Sequence, residues 1–242
     1  MLLTKVNMIL NVNGGYNRFM KSQRDLVMSE SRLTVAAAVN LVIVVAECIG
    51  LCICYQTRGW SMLMYYTQLS NILVLAACAV MSYFDIRCLI GKSPKIPLWA
   101  WVLKYAATSA IGLTFCVVIF VLGPGLGGWN GIVTFLTSGP MVYTHLLCPI
   151  LCMLSFTMLE YKREVSSKTI WFALVFTAIY AIVAIAMNVL KIWDGPYPFL
   201  RVYAQSIGAT IGWCVLILGG AVAIAGATLG LNRLRCRKVE SK

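Results

Sequence analysis

Six long apolar stretches, joined by short basic or glycine- and proline-containing connectors, constrain this 242-residue chain more than any other feature. They cover residues 35–54, 63–82, 104–122, 140–158, 170–190 and 209–229. About 20 apolar residues in helical geometry cross the hydrocarbon of a bilayer, so each stretch predicts one crossing. Charged residues make up only 12% of the chain, about half of the roughly 25% usual in soluble domains. The expected fold is all-α, a polytopic six-transmembrane-helix bundle over residues 35–230. A basic segment 1–34 precedes it and a basic tail 231–242 follows.

Lysine and arginine set the expected orientation. Seventeen fall in the first, third, fifth and seventh non-membrane stretches, with Lys104 counted in the third. Only Arg58, Lys191 and Arg201 fall in the alternate ones. The positive-inside rule then predicts both termini in the cytoplasm, N-in and C-in. The net charge of +12 punctuates apolar runs and forms no basic stripe with interleaved aromatics, which argues against a nucleic-acid partner. Residues 1–34 have no apolar core ending in a small-residue cleavage site, so no cleavable signal is expected. Met28-Ser29-Glu30-Ser31 offers an alternative start, with residues 1–27 as an upstream extension.

Several features read as structural. Cys48/Cys52 and Cys148/Cys152 are four apart and share a helix face, where cysteine usually packs as a small apolar residue. With one histidine in the chain, no metal site is implied. The glycine-rich stretch 123–131 lacks the Lys-Ser/Thr ending of a phosphate loop and reads as a turn anchored by Trp129 at the interface. Residues 83–103, with Pro94 and Pro97, read as a simple connector. Gly226 and Gly230, with Gly219 and Gly220, predict close helix packing. No internal repeat suggests an inverted-repeat transporter.

Ionisable residues are costly in hydrocarbon and mark functional positions by default. Glu47 and His145 lie inside the first and fourth stretches. At 1.5 Å per residue, Glu47 sits roughly 10 Å below the outer end of its helix, and Thr67 and His145 roughly 7–8 Å below theirs. His145, the sole imidazole, is the natural general base near neutral pH. Pro149, four residues on, cannot donate to the carbonyl of residue 145, so a bend is expected there. A structural histidine bonded to a neighbouring helix is the plain alternative. Thr67, Ser70 and Asn71 share one helix face. A membrane threonine usually bonds its own backbone; as a nucleophile it needs a base, and Asn71 would orient that base or donate to an oxyanion.

Three short motifs in order resemble the androgen-induced protein family of membrane threonine hydrolases, and more closely its bacterial members. They are Tyr66-Thr67-Gln68-Leu69-Ser70-Asn71, His145-Leu146-Leu147-Cys148-Pro149 and Tyr197-Pro198-Phe199-Leu200. The likeness spans residues 35 to 230. It departs from the mammalian pattern in having fewer histidines and a shorter gap before the proline, and Glu47 is no part of the motif. The resemblance implies Thr67 as nucleophile, His145 as base, and esters of fatty acids with hydroxy fatty acids or similar lipids as substrates. It implies no cofactor, and the plasma membrane as location for a bacterial protein. The expected substrate enters from the membrane lipids of the outer leaflet, with Tyr66, Ser70 and Asn71 supporting the site. Trp129, Trp193 and Tyr197 would cap it. The alternative is a small-solute or proton-coupled carrier, with Glu47 and His145 as relay and Asn71 and Asn188 along the path. Few polar groups are expected in the inner half, Asn40 being the exception, which favours the hydrolase.

Overall fold

The structure is a computed structural model that describes residues 2–93, 95–161 and 165–240, with side chains over 30–93, 95–161 and 165–239. Pro94, the alternative start at Met28-Ser29 and the side chains of Lys5, Arg18, Lys21, Arg24, Lys162, Arg163 and Lys242 lie outside the described residues. The chain is all-helical, with no strand among the described residues. Helix α1 (Leu2–Arg58) supplies the first apolar crossing, Glu30–Met64, together with the 3-10 turn after it. The others are α2 (Tyr66–Leu89), α3 (Leu98–Gly125), α5 (Val142–Leu159), α6 (Ser167–Val189) and α7 (Ile207–Glu240). A short helix, α4 (Gly128–Thr137), lies between α3 and α5. Six helices are long and apolar enough to cross a bilayer, which makes this a multi-pass integral membrane protein.

Three expectations about the helices change. The connector 83–103 shrinks, because α2 continues to Leu89 and α3 begins at Leu98, directly after the extended Pro97. Hydropathy cuts both helices short at this connector, since Asp85 lies near the end of α2 and Lys104 in the second turn of α3, both fully buried. Thr67 is not several residues deep in its helix: it lies in the first turn of α2, after the 3-10 turn Gly59–Met64. Gly219, Gly226 and Gly230 do not mediate packing within the chain, for a Cβ at each would meet nothing within 4 Å. Close approach occurs elsewhere. A Cβ on Gly131 would lie 2.2 Å from the Gly123 carbonyl oxygen, so α4 rests directly on the end of α3.

Around Pro149 the hydrogen-bond register of the helix changes. Residues Val142–Leu147, just before it, form wide π turns, and the α-helix resumes at Cys148. A missing donor is a usual reason for such turns, and they often occur at functional positions. Three apolar layers stack along the bundle. The upper one, at the end where α2 starts, centres on Tyr66, Val118, Phe199 and Leu200. Ile43, Val74, Ile111 and Cys152 fill the middle between α1, α2, α3 and α5. Trp101, Tyr105, Phe156, Ala225 and Leu229 close the lower end. Helices α6 and α7 are the least covered, with 17% and 22% of their apolar windows buried. Ile179, Ile182, Ile211 and Val215 on them face outward, as lipid-facing residues do.

Candidate functional site

Thr67 owes its surroundings to the start of α2. The first four N–H groups of a helix have no partner inside it, and the Thr67 N–H donates instead to the Tyr197 hydroxyl at 3.2 Å. That hydroxyl in turn donates to Thr67 Oγ1 at 3.4 Å. Tyr197 is held by stacking on Phe199, with ring centroids 5.2 Å apart, and by edge contact with Tyr65. Burial pushes its phenol up to about 12, so it stays protonated and able to donate. Below Thr67, Ser70 Oγ bonds the Thr67 carbonyl and Thr114 Oγ1, each at 2.9 Å.

Tyr66, Thr67 and Tyr197 stand at the wall of an apolar cavity with about 620 Å³ of empty space, counted out to its open mouth. Leu113 and Val117 of α3, Tyr180 of α6, and Trp213 and Ile217 of α7 are among the other residues that line it. Tyr66 and Thr177 hydroxyls pair at 2.8 Å, and the Tyr180 hydroxyl donates to the Met64 carbonyl at 2.8 Å.

His145 does not line this cavity. Its Nδ1–H donates to the Phe135 carbonyl of α4 at 2.9 Å. A carbonyl can only accept, so this bond leaves the lone pair on Nε2. Nε2 is buried and has no hydrogen-bond partner among the described residues. Asn71 joins the two sides: its Nδ2 donates to the Thr67 carbonyl at 2.6 Å and the Thr144 carbonyl at 3.3 Å. Asn71 thus links the Thr67 backbone to that of Thr144, the neighbour of His145, and no hydrogen bond joins the Thr67 and His145 side chains.

The remaining expected residues divide. Glu47 is fully buried and faces the bundle interior, and neither carboxyl oxygen has a hydrogen-bond partner among the described residues. The Cys148 thiol is the polar group beside it. Asn188 does not line the cavity; it ties down the segment after α6, donating to the Trp193 carbonyl and accepting from the Val202 N–H, both at 2.8 Å. Trp193 packs on the upper core. Trp129 does not line the cavity either and is 75% exposed on α4, as an interfacial anchor would be.

The lower half is not poor in polar groups. Lys104, fully buried, donates from Nζ to Asn40 Oδ1 at 2.6 Å and to Cys78 Sγ at 2.9 Å. Asn40 Nδ2 donates to Glu160 Oε1 at 2.6 Å and to Asp85 Oδ2 at 3.4 Å. Lys104 Nζ lies 3.9 Å from Glu160 Oε1, which also accepts from Ser155 Oγ at 3.0 Å. Side chains from α1, α2, α3 and the end of α5 meet in this cluster. Its signal was present in the sequence: Cys78 and Asp85 are seven apart on α2, and Lys104 and Thr108 four apart on α3, so each pair shares a face. Counting Lys104 as a loop charge hid it, and its removal leaves the lower side still strongly basic.

Fold and site together define an all-helical, multi-pass membrane protein with a cavity in the bundle wall and a buried polar junction beside it. Comparison with family models, with curated proteins and with solved structures finds no match to this chain.

Proposed function

We propose that this protein is an intramembrane hydrolase of long-chain acyl esters, with its upper end outside and both termini in the cytoplasm. One observation carries the reading: the Thr67 hydroxyl stands at the polar end of an apolar cavity. His145, with its free Nε2 lone pair, takes the Thr67 proton once that hydroxyl turns from Tyr197 towards Asn71. Thr67 Oγ1 attacks the ester carbonyl, the alcohol leaves with the proton from the imidazolium, and water then cleaves the acyl-threonine. The Tyr197 hydroxyl and the positive end of the α2 dipole favour the oxyanion. The three motifs that resemble the androgen-induced family support the same two residues.

A long-chain serine-hydrolase probe tests the nucleophile directly. Wild type is expected to carry one adduct, mapped to Thr67, and Thr67→Ala none. Equal labelling of both proteins would overturn the assignment.

A proton-coupled carrier is the second reading, and one observation favours it. Titratable side chains run the height of the junction between α1, α2, α3 and α5: His145, Glu47 beside Cys148, then Cys152, Cys78, Lys104, Glu160 and Asp85. In liposomes with a pH dye inside, a carrier would acidify the lumen down a substrate gradient, and Glu47→Gln would stop it. The hydrolase reading expects no such flux from either protein.

A further inference from the structure

We infer that the cavity beside Thr67 admits an uncharged acyl lipid from the bilayer between α6 and α7, and rejects one whose buried end carries a charge. This rests on the hydrolase reading for the role of Thr67, and narrows its substrate class.

The route follows from how the two helices pack. At the lower end Ala173 of α6 and Ala225 and Leu229 of α7 share one core with Trp101 and Phe156. Higher up, the cavity lies along both helices, lined by Thr177 and Tyr180 on α6 and by Trp213 and Ile217 on α7. Tyr180, Trp213 and Ile217 are half-exposed, whereas the opposite wall, Tyr66, Thr67, Leu113 and Thr114, is buried. The mouth is therefore on the α6–α7 side, where outward residues are those of a lipid-facing surface. The segment Tyr197-Pro198-Phe199-Leu200 contributes to the cavity wall and packs with Tyr66 in the upper core.

The polar end decides the head group. Among the described residues, no Lys, Arg, His, Asp or Glu lines the cavity. Its polar groups are neutral: Tyr66 and Thr177 hydroxyls pair with one another, as do Tyr197 and Thr67. Thr114 bonds Ser70, Tyr180 donates to the Met64 carbonyl, and Trp213 and Cys214 add an indole N–H and a thiol. Hydroxyls of this kind can donate to an ester carbonyl or bond an alcohol. They offer no countercharge, and an unpaired charge taken out of water costs several kcal/mol. A carboxylate or phosphate is therefore excluded from the buried end. The esters implied by the family resemblance carry a free carboxylate, and such a molecule fits only with that end left outside the mouth.

The test uses the full-length protein in detergent with a diazirine-bearing fatty alcohol as photoprobe. Crosslinks are expected on Tyr180, Trp213 or Ile217. Methyl hexadecanoate is expected to compete about a hundredfold better than hexadecanoate at a pH where the free acid is ionised, the ratio reflecting the unpaired charge. Ile217→Trp, which fills the cavity from its half-exposed wall, should remove the crosslinks while thermal unfolding stays that of wild type. Thr67→Ala should keep them. Equal competition by the two lipids, or crosslinks spread over the whole outer surface of α6 and α7, would overturn the inference. Selective binding of the neutral ester without its hydrolysis supports the inference and counts against the hydrolase reading alone. Hydrolysis of an ester whose charged end must enter the cavity does the reverse.

Discussion

Lys104→Met is expected to be the most destabilising single substitution among the polar residues of the bundle. Lys104 is fully buried, and its ammonium is held by Asn40 and Cys78 with Glu160 3.9 Å away. Methionine matches its length but removes the charge. Glu160 and Asp85 then share the Asn40 amide with no ammonium beside them, and each already has one buried oxygen without a partner. Breaking a buried pair by removing one member costs about 3–5 kcal/mol, because the other charge stays buried. Removing both members is far milder. Lys104→Met with Glu160→Gln should therefore recover much of the loss, and the coupling between the two sites should exceed about 1 kcal/mol. Thermal unfolding of the purified single and double variants measures this. Additive losses, or a Lys104→Met protein as stable as wild type, would show that the cluster does not clamp the helices together.

Six crossings and their order were legible in the sequence because hydropathy over about 20 residues is a strong signal and backbone satisfaction in lipid leaves helices as the answer. Where helix ends carry charge, that signal fails. Asp85 and Lys104 look like the polar margins of a loop, and only the packing of α1 and α5 against them reveals that they pair inside the bundle. Thr67 was legible as a residue on a polar face with Ser70 and Asn71, and the structure keeps that face together. Its depth was not, since the chain enters α2 through a 3-10 turn that hydropathy cannot distinguish from helix. Tyr197 was legible as a residue over the site, but its bonds to Thr67 were not. It lies 130 residues from Thr67, and its hydroxyl reaches the α2 start only through the fold of the 190–206 segment. The Lys104 cluster makes the lower half polar, so the choice between hydrolase and carrier rests on the cavity and on turnover.

Turnover of long-chain acyl esters should be abolished by Thr67→Ala and by His145→Ala. Loss of a positioned general base typically costs 10²–10⁴-fold, roughly, and the nucleophile at least as much. The two residues act in one step, so the double variant should be scarcely worse than either single one. Thr67→Ser should keep part of the rate, since the hydroxyl survives and only the β-branch that limits its rotamers is lost. Tyr197→Phe separates the two halves of the site. It removes the bonds to the Thr67 N–H and Oγ1 but leaves the ring stacked on Phe199. If Tyr197 donates to the oxyanion, kcat should fall about a hundredfold with little change in KM. Glu47→Gln should slow the reaction less than any of these, because Glu47 touches neither Thr67 nor His145. The assay is ester hydrolysis in detergent or liposomes, with thermal unfolding of the same samples to separate catalysis from folding. Wild-type turnover by Thr67→Ala would remove the nucleophile and place the carrier reading first.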